Sequence, residues 1–263
     1  MSHLRIAVRL ESLGLPVRKA LDEAARMGAA GVQMDAVGDL APRQLSESGR
    51  RELRTLLRSR GLELAAIGCP LRRGLDEAEG LQPRIEYLRE SMTLAYELGA
   101  RLILVSAGKV PEEAGSPEAT RLREALLDLQ RHGSRCGTRV ALDLGPDSGE
   151  RMASYLNGFE GEVLGVHLAP AALLLHGIPP AAAIRHLAGR LLYVTARDVR
   201  KGVGGGLPRE AALGAGDIDW LSVVEALEEQ EYRGWACVVR DEGTSRAEDV
   251  RSGVAFLRRL LGS

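Results

Sequence analysis

The chain has 263 residues with 45% hydrophobic, 27% charged and only 3% aromatic side chains, and Lys plus Arg number 35 against 36 for Asp plus Glu. That ordinary globular balance, at a net charge of −1, gives no electrostatic case for nucleic acid, and so few aromatics exclude a stacking platform for bases. No run approaches a membrane span, the N-terminal MSHLRIAVRLESLG lacks a signal-peptide core, and the scattered Cys69, Cys136 and Cys237 form neither a disulfide framework nor a zinc knuckle, so a reducing cytoplasm is expected.

Taken in chain order, strand-like and helix-like patterns alternate. Arg5 to Arg9 (RIAVR) is a first strand, and Pro16 suits the start of an amphipathic helix running to Met27. Gly31 to Asp35 (GVQMD) is the second strand; Pro42 to Arg60 carries leucines at helical spacing and stops at Gly61. The third strand is Leu62 to Gly68, followed by a helix from Pro83 to Leu98 that Gly99 closes. The fourth is Arg101 to Ser106 with a helix over Pro117 to Arg131. The fifth is Arg139 to Leu144, with a shorter helix near Ser148 to Leu156.

Glu162 to Leu168 is the sixth strand, and the helical segment Pro170 to Leu187 is interrupted by Pro179-Pro180. Leu191 to Ala196 is the seventh, then a glycine-rich loop, then a helix over Trp220 to Glu229. Trp235 to Val239 is the eighth, and Arg246 to Leu261 a closing amphipathic helix. Eight alternations at this length predict a single-domain (β/α)8 barrel spanning residues 1–263. The competing doubly wound sheet typically has fewer strands and often a GxGxxG first turn; the turn here is ESLGLP.

Three stretches carry a resemblance: TARDVR from Thr195, GAGDIDW ending at Trp220, and YRGWACVVRDE from Tyr232. With the weaker HLAPAALLLHG, their order and spacing resemble the xylose isomerase-like superfamily, the sugar phosphate isomerases and epimerases. The resemblance covers nearly the whole chain. It implies a divalent ion such as Mn²⁺ or Mg²⁺ at the C-terminal mouth, held by a Glu ending strand five, an Asp ending strand six, a His ending strand seven and a Glu ending strand eight. It also implies a homo-oligomer. In this chain those four positions fall on Asp143, Ala169, Thr195 and Val239, and a polar position after the strand-six aspartate falls on Ala172. One carboxylate and one hydroxyl do not satisfy an ion that wants at least about four donors, so no metal site and no cofactor are expected.

The remaining polar strand ends supply the candidates. Asp143 and His167 are the candidate acid/base residues; two-residue alternation turns His167 toward the same side as position 169. A histidine on an apolar strand also reads as a satisfied core residue, and Asp143 as a hydrogen-bonding strand end. Arg9, Asp35, Ser106, Lys109, Arg197 and Asp198 are the candidate ligand-binding residues, although Arg197 and Asp198 read more readily as a pair with each other or a tie for the loop that follows. Asp241 and Glu242 read as loop residues, Cys69 beside Pro70 as a disfavoured nucleophile, and the Gly202–Gly206 loop as a lid or plain connection. Three functions stay open: a sugar-like ligand binder whose metal-dependent catalysis is lost, an active isomerase or epimerase using a displaced metal or metal-free acid/base chemistry, and a non-catalytic interaction module.

Overall fold

A computed structural model describes residues 4–145, 147–202 and 206–262. Eight strands, β1 (Arg5–Arg9), β2 (Gly31–Asp35), β3 (Glu63–Cys69), β4 (Leu102–Ser106), β5 (Arg139–Asp143), β6 (Leu164–Leu168), β7 (Leu191–Ala196) and β10 (Trp235–Val238), close into a barrel. The ring order is β1-β10-β7-β6-β5-β4-β3-β2, and every neighbouring pair is parallel. The expected (β/α)8 barrel is the observed fold.

Around the ring run α1 (Val17–Arg26), α2 (Glu47–Ser59), α3 (Leu81–Leu98), α4 (Pro117–Cys136), α5 (Gly149–Leu156), α6 (Pro170–Leu175), α7 (Pro180–Arg185), α8 (Trp220–Glu229) and α9 (Arg246–Leu260). Their leucine stripes pack on the outer faces of the strands as one large apolar layer. The Pro179-Pro180 interruption splits α6 from α7, as its missing donors require. Most boundaries fall within two residues of expectation, and two helix ends lie further off. α2 begins at Glu47, not near Pro42, because the Ser46 side chain accepts the Gly49 amide and caps it there. α4 runs on to Cys136, where Gly137 in the left-handed conformation ends it.

Along each strand, every second side chain points into the ring. The inner set includes Ala7, Ala66, Leu104, Ala141, Tyr193, Trp235, Cys237 and Val239, a small core distinct from the barrel–helix layer. Tyr193 is completely buried at mid-depth among the alanines. Trp235 closes the lower end beneath the Arg5 guanidinium, 3.8 Å from its ring centre. A side chain at Gly31 would come within 2.7 Å of that indole, so the plug needs glycine opposite it.

One feature escaped the sequence reading. After β7 the chain forms a small antiparallel ribbon, β8 (Asp198–Arg200) with β9 (Arg209–Ala211). Residues 203–205 of the Gly202–Gly206 loop that joins its strands lie outside the described residues.

Candidate functional site

Counting upward by twos from the inner core places the strand ends Arg9, Asp35, Ser106, Asp143, Ala169, Thr195 and Val239 around one opening, the C-terminal mouth of the barrel. All seven line a cavity of about 400 Å³, a volume within the range of small-molecule sites. Gln33, Gly68, Cys69, His167, Arg197 and Leu175 complete much of the wall. Of the eight candidate catalytic and ligand-binding residues, six meet here: Asp143, His167, Arg9, Asp35, Ser106 and Arg197.

Lys109 and Asp198 do not line the cavity. Lys109 is exposed on the loop beyond β4, beside Gly145. Asp198 is 1% exposed. Its carboxylate accepts hydrogen bonds from the amides of Val199, Gly214 and Gly216, more distantly Ile218, and from the Trp220 indole at 3.0 Å. It therefore ties the ribbon and the following loop to the start of α8, and has no lone pair to spare for a ligand. It does not pair with Arg197, whose partners are Asp241 and Glu210.

The cavity has two polar walls. On one, Asp143 ends β5 and accepts the Gly145 amide at 2.9 Å, while His167 Nε2 and Thr195 Oγ1 are 2.7 Å apart. His167 also stands edge-on to the Tyr193 ring. Across the ring, a chain of polar groups rises from floor to rim. The Tyr193 hydroxyl donates to Gln33 Oε1 (3.1 Å), Gln33 Nε2 to Asp35 Oδ1 (3.3 Å), and Arg9 to Asp35 at 2.5 Å. The Asp35 amide donates to Glu11, which sits against Arg9. Gly68 leaves the room that Asp35 occupies; any side chain there would overlap its carboxylate. Tyr193 carries no local motif and only strand phase could have placed it inside, the same phase that brings Gln33 to the mouth.

Burial pushes the His167 imidazole pKa down; Asp143 partly opposes this and Arg197 adds to it. Below about pH 6.5 the unfolded chain takes up a proton that the folded ring refuses. Stability contributed by the neutral ring is complete above that pH and is lost as pH falls toward the folded value, with a slope of at most about 1.4 kcal/mol per pH unit. His167→Gln should flatten this part of the curve. Urea unfolding of both proteins across about pH 5 to 8 measures it, and parallel curves would discard the assignment.

Burial also pushes the Cys69 thiol up to about 12, so it is not a thiolate nucleophile at neutral pH despite lining the cavity.

A family model described as xylose isomerase-like TIM barrel matches residues 21–260. The chain belongs to this family. Solved structures share its fold. A xylose isomerase domain protein from Planctomyces limnophilus superposes with a TM-score of 0.84 at 22% identity, covering 98% of this chain and 97% of that one. A D-tagatose 3-epimerase-like protein gives 0.80 at 17%, over 98% and 97%. D-allulose 3-epimerase from Methylomonas sp., in complex with D-allulose, gives 0.76 at 18%, over 98% of each chain. No curated protein matches the chain.

The donors present do not fit the family's divalent ion. At the four strand ends stand one carboxylate, one hydroxyl and two apolar groups, all on the cavity wall. Thr195 is already engaged with His167, and one oxygen of Asp143 accepts the Gly145 amide while the other stays open among the described residues. Asp35 is held by Arg9 on the far wall. Among the described residues, no group of three or more His, Cys, Asp or Glu side chains is placed to hold a metal ion. Nor, among them, is any helix long and apolar enough to cross a membrane.

Proposed function

We propose that this single-domain barrel binds a small, sugar-like polar molecule in its mouth cavity, and that the metal-dependent isomerase chemistry of its relatives is lost. The observation that carries the reading is the cavity's composition. Asp143, His167 and Thr195 on one wall and Arg9 and Asp35 on the other offer hydrogen-bonding partners for hydroxyls. Ala169, Ala172 and Leu175 beside the first wall, with Val239 between the two, offer apolar surface for the C–H face of a carbon chain or ring.

The same composition argues against epimerisation. Moving a proton from one face of a carbon to the other needs two groups on opposite sides. Asp143 is free enough to act, but four places around the ring stands Arg9 with Asp35 tied to it, and Val239 contributes no base. A homo-oligomer in the cytoplasm completes the reading, the first from the family's habit and the second from three free cysteines.

The test is calorimetric titration with D-allulose, D-tagatose and D-fructose in the presence of a chelator. Binding of at least one of them should persist there and weaken about tenfold, roughly 1.4 kcal/mol, in His167→Phe, without epimer forming. Manganese-dependent epimerisation by the wild-type protein would overturn the reading.

A further inference from the structure

Arg9 and Arg197 project into the cavity from either side of Val239, because β10 lies between β1 and β7 in the ring. Both guanidinium groups are turned to a single carboxylate, that of Asp241. Arg9 Nη1 donates to its Oδ1 at 2.8 Å, and Arg197 Nη2 to its Oδ2. Each oxygen thus takes one arginine, the arrangement a bound carboxylate would adopt between two guanidinium groups. Asp241 does not itself line the cavity, and its side chain is 40% exposed.

The surroundings allow that side chain to leave without unravelling the rim. Glu210, whose side chain is only 6% exposed, accepts the backbone amides of Asp241 and Glu242 and so pins the loop whatever the Asp241 side chain does. Arg9 would keep Asp35, and Arg197 would keep Glu210 at 3.3 Å. Departure frees the Arg9 and Arg197 Nη groups that Asp241 holds, beside the buried Nε of each, which already has no hydrogen-bond partner among the described residues.

We infer that Arg9 and Arg197 form a carboxylate subsite over Val239, that Asp241 occupies it as an internal stand-in, and that the preferred ligand is a sugar acid whose carboxylate displaces Asp241. This rests on the mouth cavity being a sugar-like binding site, and narrows it from neutral sugars to acids.

The experiment compares matched pairs by calorimetry at low ionic strength: D-gluconate with D-glucitol, D-galactonate with galactitol, and D-ribonate with ribitol. At least one acid should bind about tenfold or more tighter than its alcohol. Asp241→Asn, which weakens the internal competitor, should tighten that acid a further several-fold and leave the alcohol unchanged; an acid that binds only to the variant supports the inference equally. Arg197→Gln added to Asp241→Asn should abolish the preference, with an unchanged melting temperature showing that the barrel is intact. If alcohols or neutral ketoses bind and the acids bind no tighter in either background, the carboxylate subsite is refuted while the binding cavity stands. If no sugar, alcohol or acid binds, both fall.

Discussion

Asp198→Ala is expected to destabilise the protein by about 3–5 kcal/mol, because each buried donor left without an acceptor costs about 1–3 kcal/mol and several lose theirs together. The affected donors are the Val199, Gly214, Gly216 and Ile218 amides and the Trp220 indole, all satisfied by one carboxylate that solvent scarcely reaches. For a chain of this size the melting temperature should fall by roughly 6–20 °C. Amide exchange should rise first in residues 198–202 and 206–218, since the carboxylate joins the β8–β9 ribbon to α8. Asp198→Asn keeps one acceptor and should lie between. A melting temperature unchanged by the alanine variant would show that the ribbon is held by something else.

The second large effect is a gain. With Asp143 retained, the combined substitutions Ala169→Asp, Thr195→His and Val239→Glu should create a divalent-ion site that binds Mn²⁺ at least ~100-fold more tightly than the wild-type protein, since even losing an outer partner of a metal ligand costs about 10–100-fold. The four side chains start from the same rim. Thr195 and Cys237 are in register between β7 and β10, Val239 lies two residues further on, and its amide donates to Ala196 at 3.1 Å. Ala169 follows β6, whose Leu168 is in register with Val194. Elemental analysis after dialysis, with titration calorimetry, measures the outcome. A folded triple variant that binds no better than wild type would mean these rim positions do not converge on one point. Stoichiometric metal in the wild-type protein that Asp143→Ala removes would overturn the proposed function instead.

The barrel and its mouth are legible in the sequence because both follow from short-range periodicity. Strand and helix segments alternate eight times, and two-residue strand alternation sends Asp143, Ala169, Thr195 and Val239 to one end of the ring. His167 joined them by the same counting. Boundaries moved where a cap, invisible to hydrophobic pattern, outweighed a proline: Ser46 starts α2, not the region of Pro42.

The electrostatics could not be read that way. Asp198 and Arg197 are adjacent charges in the chain, yet one is buried as a five-donor hub and the other reaches the cavity, because successive side chains leave the strand end in opposite directions. Lys109 looked equally well placed in sequence but lies on a loop that carries it off the rim. Asp241 read as a loop residue and is one; its joint hold on Arg9 and Arg197 arises only because ring closure makes β10 the neighbour of both β1 and β7. Local pattern is thus sufficient for which strand residues face the mouth, since it needs only the pitch of a strand, but not for loop residues such as Lys109. Which charges neutralise one another there depends on contacts as many as 232 residues apart, and those exist only once the barrel has closed.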